Sequence, residues 1–216
     1  MTDNLNSNHP AEIARRDGES PAIDAAERAE LGRRFPIVLV QYDPLWPELY
    51  EQEAELLRSR LPSQLVTRIE HYGSTAIPGL AAKPVIDILA EVVSFEAAEA
   101  ECVPILEELT YHFNWYAGHM AFFRGYVPEE QPVKYHIHMA PGGHRIMDGL
   151  VFRDYLRKHT DVAAQYEELK HRLAKTYRHD REGYTDAKGQ FVAEITRIAK
   201  DELDGKYAAS TDGRLT

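Results

Sequence analysis

A single cysteine in 216 residues leaves no intramolecular disulfide to staple this chain, so its fold has to rest on a packed core and suits a reducing compartment. That residue, Cys102, falls in a helical stretch with no catalytic partner near it and reads as a core or partly exposed thiol. Long apolar runs are also missing. Residues 1–34 mix Asn, Ser, Asp, Glu and Arg, which excludes a secretory signal or membrane span within them; the expectation is a soluble, cytoplasmic protein with no membrane partner. Positive charge is the third shortage, since 25 Lys and Arg stand against 35 Asp and Glu, a formal net charge of −10. This balance disfavours non-specific binding to nucleic-acid phosphates but leaves room for a local basic pocket, so a substrate should be small or locally steered. No internal repeat is visible, which argues against a solenoid.

What is present suits one large domain: 44% hydrophobic residues give ample material for a core. Residues 1–34 read as a flexible arm with a short helix over Ala22–Leu31, residues 35–204 as the domain, and residues 205–216, rich in Gly, Ser, Thr and Asp, as a disordered tail. Ile37–Val40 is a β-prone run. It ends at Asp43-Pro44, a cap and first-turn proline for a helix whose stripe of Trp46, Leu49, Tyr50, Leu56, Leu57 and Leu61 stops at Pro62. Trp46 and Tyr50 belong to that stripe as packing groups. Strands are predicted before Gly73 (Leu65, Val66, Ile69), over Val85–Leu89, and over Tyr111–Tyr116, Met120–Tyr126 and Lys134–Met139, with an exposed hairpin loop at Val127–Val133. A helix over Ala97–Leu109 contains Pro104, which bends it or marks its first turn. After the break at Pro141–His144 the chain reads as helical almost to its end, with Val162, Tyr166, Leu169, Leu173 and Tyr177 in one stripe and Phe191, Ile195 and Ile198 in another. The predicted class is α+β.

Candidate chemistry begins at Gly73-Ser74-Thr75, between two strands. Glycine permits close backbone approach and the two hydroxyls add donors, so the turn is of a kind that holds phosphate. Asp87 stands alone within an apolar strand, and a carboxylate so placed needs a partner: a metal ion, an ammonium group, a backbone N–H or an arginine. Strand alternation puts His136 and His138 on one face with Lys134. Those imidazoles can bind a metal with Asp87, coordinate a phosphate when protonated, or hydrogen-bond across the sheet. Arg124, on the preceding strand, is a candidate phosphate clamp through its two-pronged guanidinium. Arg153 beside Asp154 is either a ligand contact or a salt bridge. Thr185 or Asp186 can cap a helix with Lys188 one turn in, a place that favours an anion. His112, His119 and His144 lack such a setting and read as surface or loop residues.

The string H-Y-G-S-T-A-I-P-G-L-A-A-K-P-V-I-D-I-L over residues 71–89 resembles the signature of the GrpB family, a branch of the nucleotidyltransferase superfamily whose domain also occurs fused to dephospho-CoA kinase. Residues 40–47 (VQYDPLWP), 136–138 (HIH), 152–157 (FRDYLR) and 184–189 (YTDAKG) agree with it, so the likeness spans about residues 37–200. The resemblance implies a nucleotidyltransferase-like mixed sheet flanked by helices, with a C-terminal helical layer closing a cleft. It further implies a nucleoside triphosphate held by Gly73, Ser74, Thr75, Arg124, Arg153, Tyr184 and Lys188, a Mg²⁺ or Mn²⁺ ion on Asp87 with His136 or His138, and Lys83 neutralising developing charge beside Asp87. In the superfamily two carboxylates separated by one residue follow the Gly-Ser turn. Here the second falls on Asp87 and the first on Val85, while histidines occupy the place of a third.

Three readings follow. The first is transfer of a nucleotidyl group from a triphosphate to a small acceptor. The second, motivated by Val85, is a non-catalytic nucleotide- or CoA-binding domain that regulates or scaffolds. A two-histidine, one-carboxylate metalloenzyme carrying out hydrolysis or oxidation is the third.

Overall fold

The stretch Val85–Val92 is apolar at nearly every position, the pattern of a strand covered on both faces. In the computed structural model, which describes residues 25–125 and 134–202, it becomes an interior strand of a five-stranded mixed sheet. The strands are β1 (Val66–Tyr72), β2 (Val85–Val92), β3 (His112–Tyr116), β4 (His119–Arg124) and β5 (Lys134–Pro141), in the order β1-β2-β5-β4-β3. Only β2 and β5 pair in parallel; the other pairs are antiparallel. A parallel pair requires a crossover, and a helix followed by the β3–β4 hairpin supplies it.

One face of the sheet is covered by α2 (Trp46–Arg60) and α3 (Phe95–Glu108), whose Leu57, Ala98, Cys102 and Leu106 pack on Ile86, Ile88, Ala90, Ile137 and Met139. Ser94 caps α3 by accepting from the Ala97 N–H, and Pro104 lies inside that helix. The other face meets α4 (Asp148–Lys158), through Leu150 on Leu89 and Ala140. Two further helices, α5 (Thr160–Thr176) and α6 (Arg181–Glu202), complete the C-terminal layer: Phe152, Leu156, Tyr166 and Ile195 join Ile77 and Leu80 in a second cluster. The α+β class, the mixed sheet and the helical layer are thus those expected.

Two expectations change. Ile37–Val40 forms no strand and makes one isolated bridge, Val40 to Ala82, because its partner is the loop between Pro78 and Pro84, where pairing cannot extend. The short helix expected in the N-terminal arm is present as α1 (Ala25–Arg34), but it is docked and not loose: the Gly32 carbonyl lies 3.0 Å from His179 Nδ1. Residues 1–24, the Val127–Val133 loop and the tail fall outside the described residues.

Candidate functional site

The two-residue period of a strand and the parallel register together build the centre of the site. Asp87 on β2 is opposite His136 on β5, and Leu89 is opposite His138, so the carboxylate and both imidazoles project from one face. His136 Nδ1 lies 3.3 Å and His138 Nε2 3.8 Å from the same oxygen, Asp87 Oδ1. One potential ligand atom from each of the three residues lies within 4.8 Å of the others. They open into a cleft of about 820 Å³, bounded by the Gly-Ser turn, the β3–β4 turn and helices α4 to α6.

Burial favours the neutral form of His136, whose pKa falls to about 4 against the raising effect of Asp87, so its imidazole carries a lone pair at neutral pH. Asp87 is governed by opposed effects: burial pushes its carboxyl up, but the imidazoles of His136 and His138 beside it prevail and hold it well below the usual carboxylate range. An ionised carboxylate beside neutral imidazole is a donor set for a divalent cation.

Gly73 adopts φ 72° and ψ −168°, a region closed to residues with a Cβ, and a Cβ there would lie 2.4 Å from Asp87 Oδ2. The turn and the carboxylate therefore fit together through glycine. After it, Ser74–Ala76 form one 3₁₀ turn in which Ser74 lines the cleft. Thr75 does not present its hydroxyl to a ligand: it donates to the Val85 carbonyl at 3.0 Å and meets His71 Nε2 at 3.1 Å, tying the turn to β2.

Across the cleft stands a group of lysines. Lys83 and Lys188 both lie over the ring of Tyr184, at 5.8 and 4.3 Å from its centroid. Burial lowers each to a pKa of about 8; Arg181 and Lys188 add to the lowering at Lys83, while Asp87 opposes it at both. Lys170, absent from the sequence reading, is 2% exposed and lowered to about 7, chiefly by burial. Its ammonium donates to the Ala81 carbonyl while Glu167 accepts the Ala81 N–H at 3.0 Å, so α5 grips both sides of the peptide leading to Lys83.

Several candidate residues are placed differently from expectation. Arg124 shares the strand face of Met120 and Phe122, opposite to His119, and there it pairs with Glu53 and lies over Tyr111 and Tyr135; it is no phosphate clamp in this cleft. Arg153 lines the cleft, but its guanidinium bonds Glu70 and Asp154 at 2.9 Å each and the His71 carbonyl at 2.6 Å, making it a brace for the end of β1. Lys188 is in the second turn of α6, which begins at Arg181 behind Asp180. Thr185 and Asp186 are therefore interior residues, not caps. His119 and His144, read from sequence as surface or loop, line the cleft, with His119 4% exposed. The signal for His119 was the same alternation that paired His136 with His138, since His119 and Ala121 face the His138 side.

A family model described as GrpB protein matches residues 36–197. A UPF0157 protein of Pseudomonas aeruginosa is 41% identical over 162 residues, covering 74% of this chain and 66% of that protein's length. The crystal structure of the conserved protein GrpB from Enterococcus faecalis superposes with a TM-score of 0.67 at 29% identity, covering 77% of this chain and 99% of that one. A 76-residue stretch is 40% identical to part of a dephospho-CoA kinase from Mycolicibacterium paratuberculosis, covering 34% of this chain and 18% of the kinase.

Proposed function

The chain belongs to the GrpB family, and we propose that it binds a nucleoside triphosphate with one divalent cation in the cleft and transfers the nucleotidyl group to a small acceptor. The observation that supports this most is the facing arrangement of a compact Asp87, His136 and His138 set and the lysines Lys83 and Lys188 within one cleft. Neither half suffices. A carboxylate with two imidazoles serves many reactions, and lysines alone bind any anion; together they suit a metal-bound polyphosphate.

The donor set fits a metal, and Asp87, His136 and His138 are the residues that would hold it. With two imidazoles and one carboxylate, Mn²⁺ suits the site better than Mg²⁺. When bound, such an ion polarises phosphoryl oxygens as a Lewis acid. The chain's own groups do the rest: Ser74 offers a hydroxyl at the turn, Lys83 and Lys188 neutralise charge that grows on the phosphates, and Tyr184 sets the direction of both ammonium groups. Val85, 7% exposed, supplies no second carboxylate beside Asp87, so on this reading the site holds one cation tightly unless histidine or the substrate supplies further ligands.

The test is pyrophosphate release by wild-type protein with each triphosphate, Mn²⁺ and a panel of small acceptors, beside Asp87→Asn. Release by wild type that drops to background in the variant is the expected result. Background release by a preparation shown to bind triphosphate would favour the non-catalytic binding domain instead. Turnover of Mn²⁺-dependent hydrolysis or oxidation substrates without any triphosphate affinity would favour the two-histidine, one-carboxylate enzyme, the reading that the donor set alone supports.

A further inference from the structure

Behind the Gly-Ser turn, on the sheet face opposite to Asp87, lies a histidine that does not line the cleft. His71 is opposite Ile88 in the β1–β2 register, so its ring turns toward α2, where it stacks on Tyr50 with centroids 4.7 Å apart and planes at 10°. The Tyr50 hydroxyl donates to the Ile69 carbonyl at 3.1 Å, which ties the stacking partner to the same strand. His71 and Thr75, four residues on, are both buried.

The direction of the next two hydrogen bonds follows from the atoms involved. Thr75 Oγ1 lies 3.0 Å from the Val85 carbonyl oxygen, and a carbonyl only accepts, so the single hydroxyl hydrogen lies between those two oxygens. The same Oγ1 is 3.1 Å from His71 Nε2. With its hydrogen on Val85, the hydroxyl accepts from the ring, and Nε2 carries the proton. Donation thus runs from His71 at the end of β1, through Thr75 in the 3₁₀ turn, to the first residue of β2. Val85 stands two residues before Asp87 and two after Lys83, whose carbonyl accepts the Val85 N–H at 2.8 Å.

We propose that His71 is a positioning residue of the phosphate turn: as an Nε2–H donor it holds the Thr75 hydroxyl on the Val85 carbonyl and so fixes Ser74 relative to both Lys83 and Asp87. This rests on the reading of the cleft as a triphosphate site. A metal-bound polyphosphate has to meet the turn, the lysine and the cation together, so a turn misplaced by about 1 Å weakens the ligand without unfolding the protein.

The probe is inorganic tripolyphosphate with Mn²⁺, its binding followed by calorimetry. His71→Leu and Thr75→Val each interrupt the donation and should weaken tripolyphosphate binding about 10–100-fold. His71→Gln, whose amide nitrogen can donate to the same oxygen, and Thr75→Ser, which keeps the hydroxyl, should each recover most of the affinity. Arg124→Leu is the control for a loss that is structural only, since it breaks a buried pair on the His71 face of the sheet and should leave tripolyphosphate affinity unchanged. Ring-nitrogen shifts of ¹⁵N-histidine protein should show His71 protonated at Nε2. If His71→Leu does not fold, the comparison of Thr75→Val with Thr75→Ser decides. A wild-type His71 protonated at Nδ1 alone, folded variants that bind tripolyphosphate as wild type does, or equal losses in the donor-keeping and donor-removing variants each overturn the proposal. A wild-type protein with the expected tautomer that binds no tripolyphosphate, with or without Mn²⁺, would instead sink the phosphate reading of the cleft, and this role for His71 with it.

Discussion

Gly73 does two things that no residue with a side chain can do: it adopts a backbone conformation closed to a Cβ, and it lets Asp87 approach to where that Cβ would stand. Gly73→Ala should therefore cost about 2–3 kcal/mol in stability and also displace the carboxylate, weakening Mn²⁺ binding in whatever protein folds. Gly79 is the control. It has φ 79° but nothing within 4 Å of its absent Cβ, so Gly79→Ala should pay backbone strain and leave metal affinity unchanged. Denaturant titrations with parallel Mn²⁺ calorimetry separate the two; equal metal affinity in both variants would show that Gly73 does not set the Asp87 position. At this scale the sequence was informative where a polar residue interrupts an apolar pattern, as Asp87, His136 and His138 do. It was silent on Lys170, whose role depends on a loop 89 positions away in sequence.

Arg124 shows how an element, and not a residue, decides what a charge is for. On β4 it shares a face with Met120 and Phe122, and that face meets α2, where Glu53 is 5% exposed and also accepts from the Tyr111 hydroxyl at 2.9 Å. The alternation needed to place it was readable from Met120 and Phe122, but the buried carboxylate awaiting it on α2 was not, because a lone Glu in a helix reads as solvated. Arg124→Leu should leave that carboxylate uncompensated and destabilise the protein by about 3 kcal/mol, with Glu53→Gln in the same chain recovering part of the loss. Triphosphate and Mn²⁺ affinities of the folded variant should match wild type. A specific loss of nucleotide affinity at unchanged stability would return Arg124 to the site. The start of α6 teaches the same lesson in reverse: Thr185 and Asp186 look like caps, yet Asp180, which accepts the Gly183 N–H at 2.9 Å, starts the helix a turn earlier. Glycines at positions 183 and 189 disguise the start of a helix in which Tyr184 is buried and Ile195 packs on the second cluster.

Over the whole molecule the charge is divided unevenly, with a formal net of −10 overall and a cleft lined by Lys83, Lys170, Lys188, Arg145, Arg197 and Lys200 against Asp87 and Asp148. The surplus of acid was legible in the composition and the basic interior was not, since it is assembled from a loop and two helices distant in sequence. This division has a consequence for pH. Lys83 faces Arg181, Lys188, Lys134 and Asp87; Lys188 faces Asp87; and both have folded pKa values of about 8, below the 10.5 of a free lysine. Their charged forms therefore oppose folding fully below pH 8, and that opposition fades between pH 8 and 10.5, where the unfolded chain binds more protons than the folded one and stability gains with pH. A bound polyanion acts the other way. It favours the charged lysines, raises their pKa values and draws in protons as it binds. Tripolyphosphate affinity should hence fall as pH rises from 7 to 9.5, by about tenfold or more, and calorimetry near pH 8 in buffers of different ionisation enthalpy should show proton uptake. Lys83→Met and Lys188→Met should each raise stability at pH 7 by about 1–2 kcal/mol, because an unfavourably placed charge is removed, while reducing tripolyphosphate affinity and flattening its pH dependence. Lysines that serve only as packing stems would give the first effect without the second: pH-independent tripolyphosphate binding, equal in wild type and both variants, would remove them from the phosphate site.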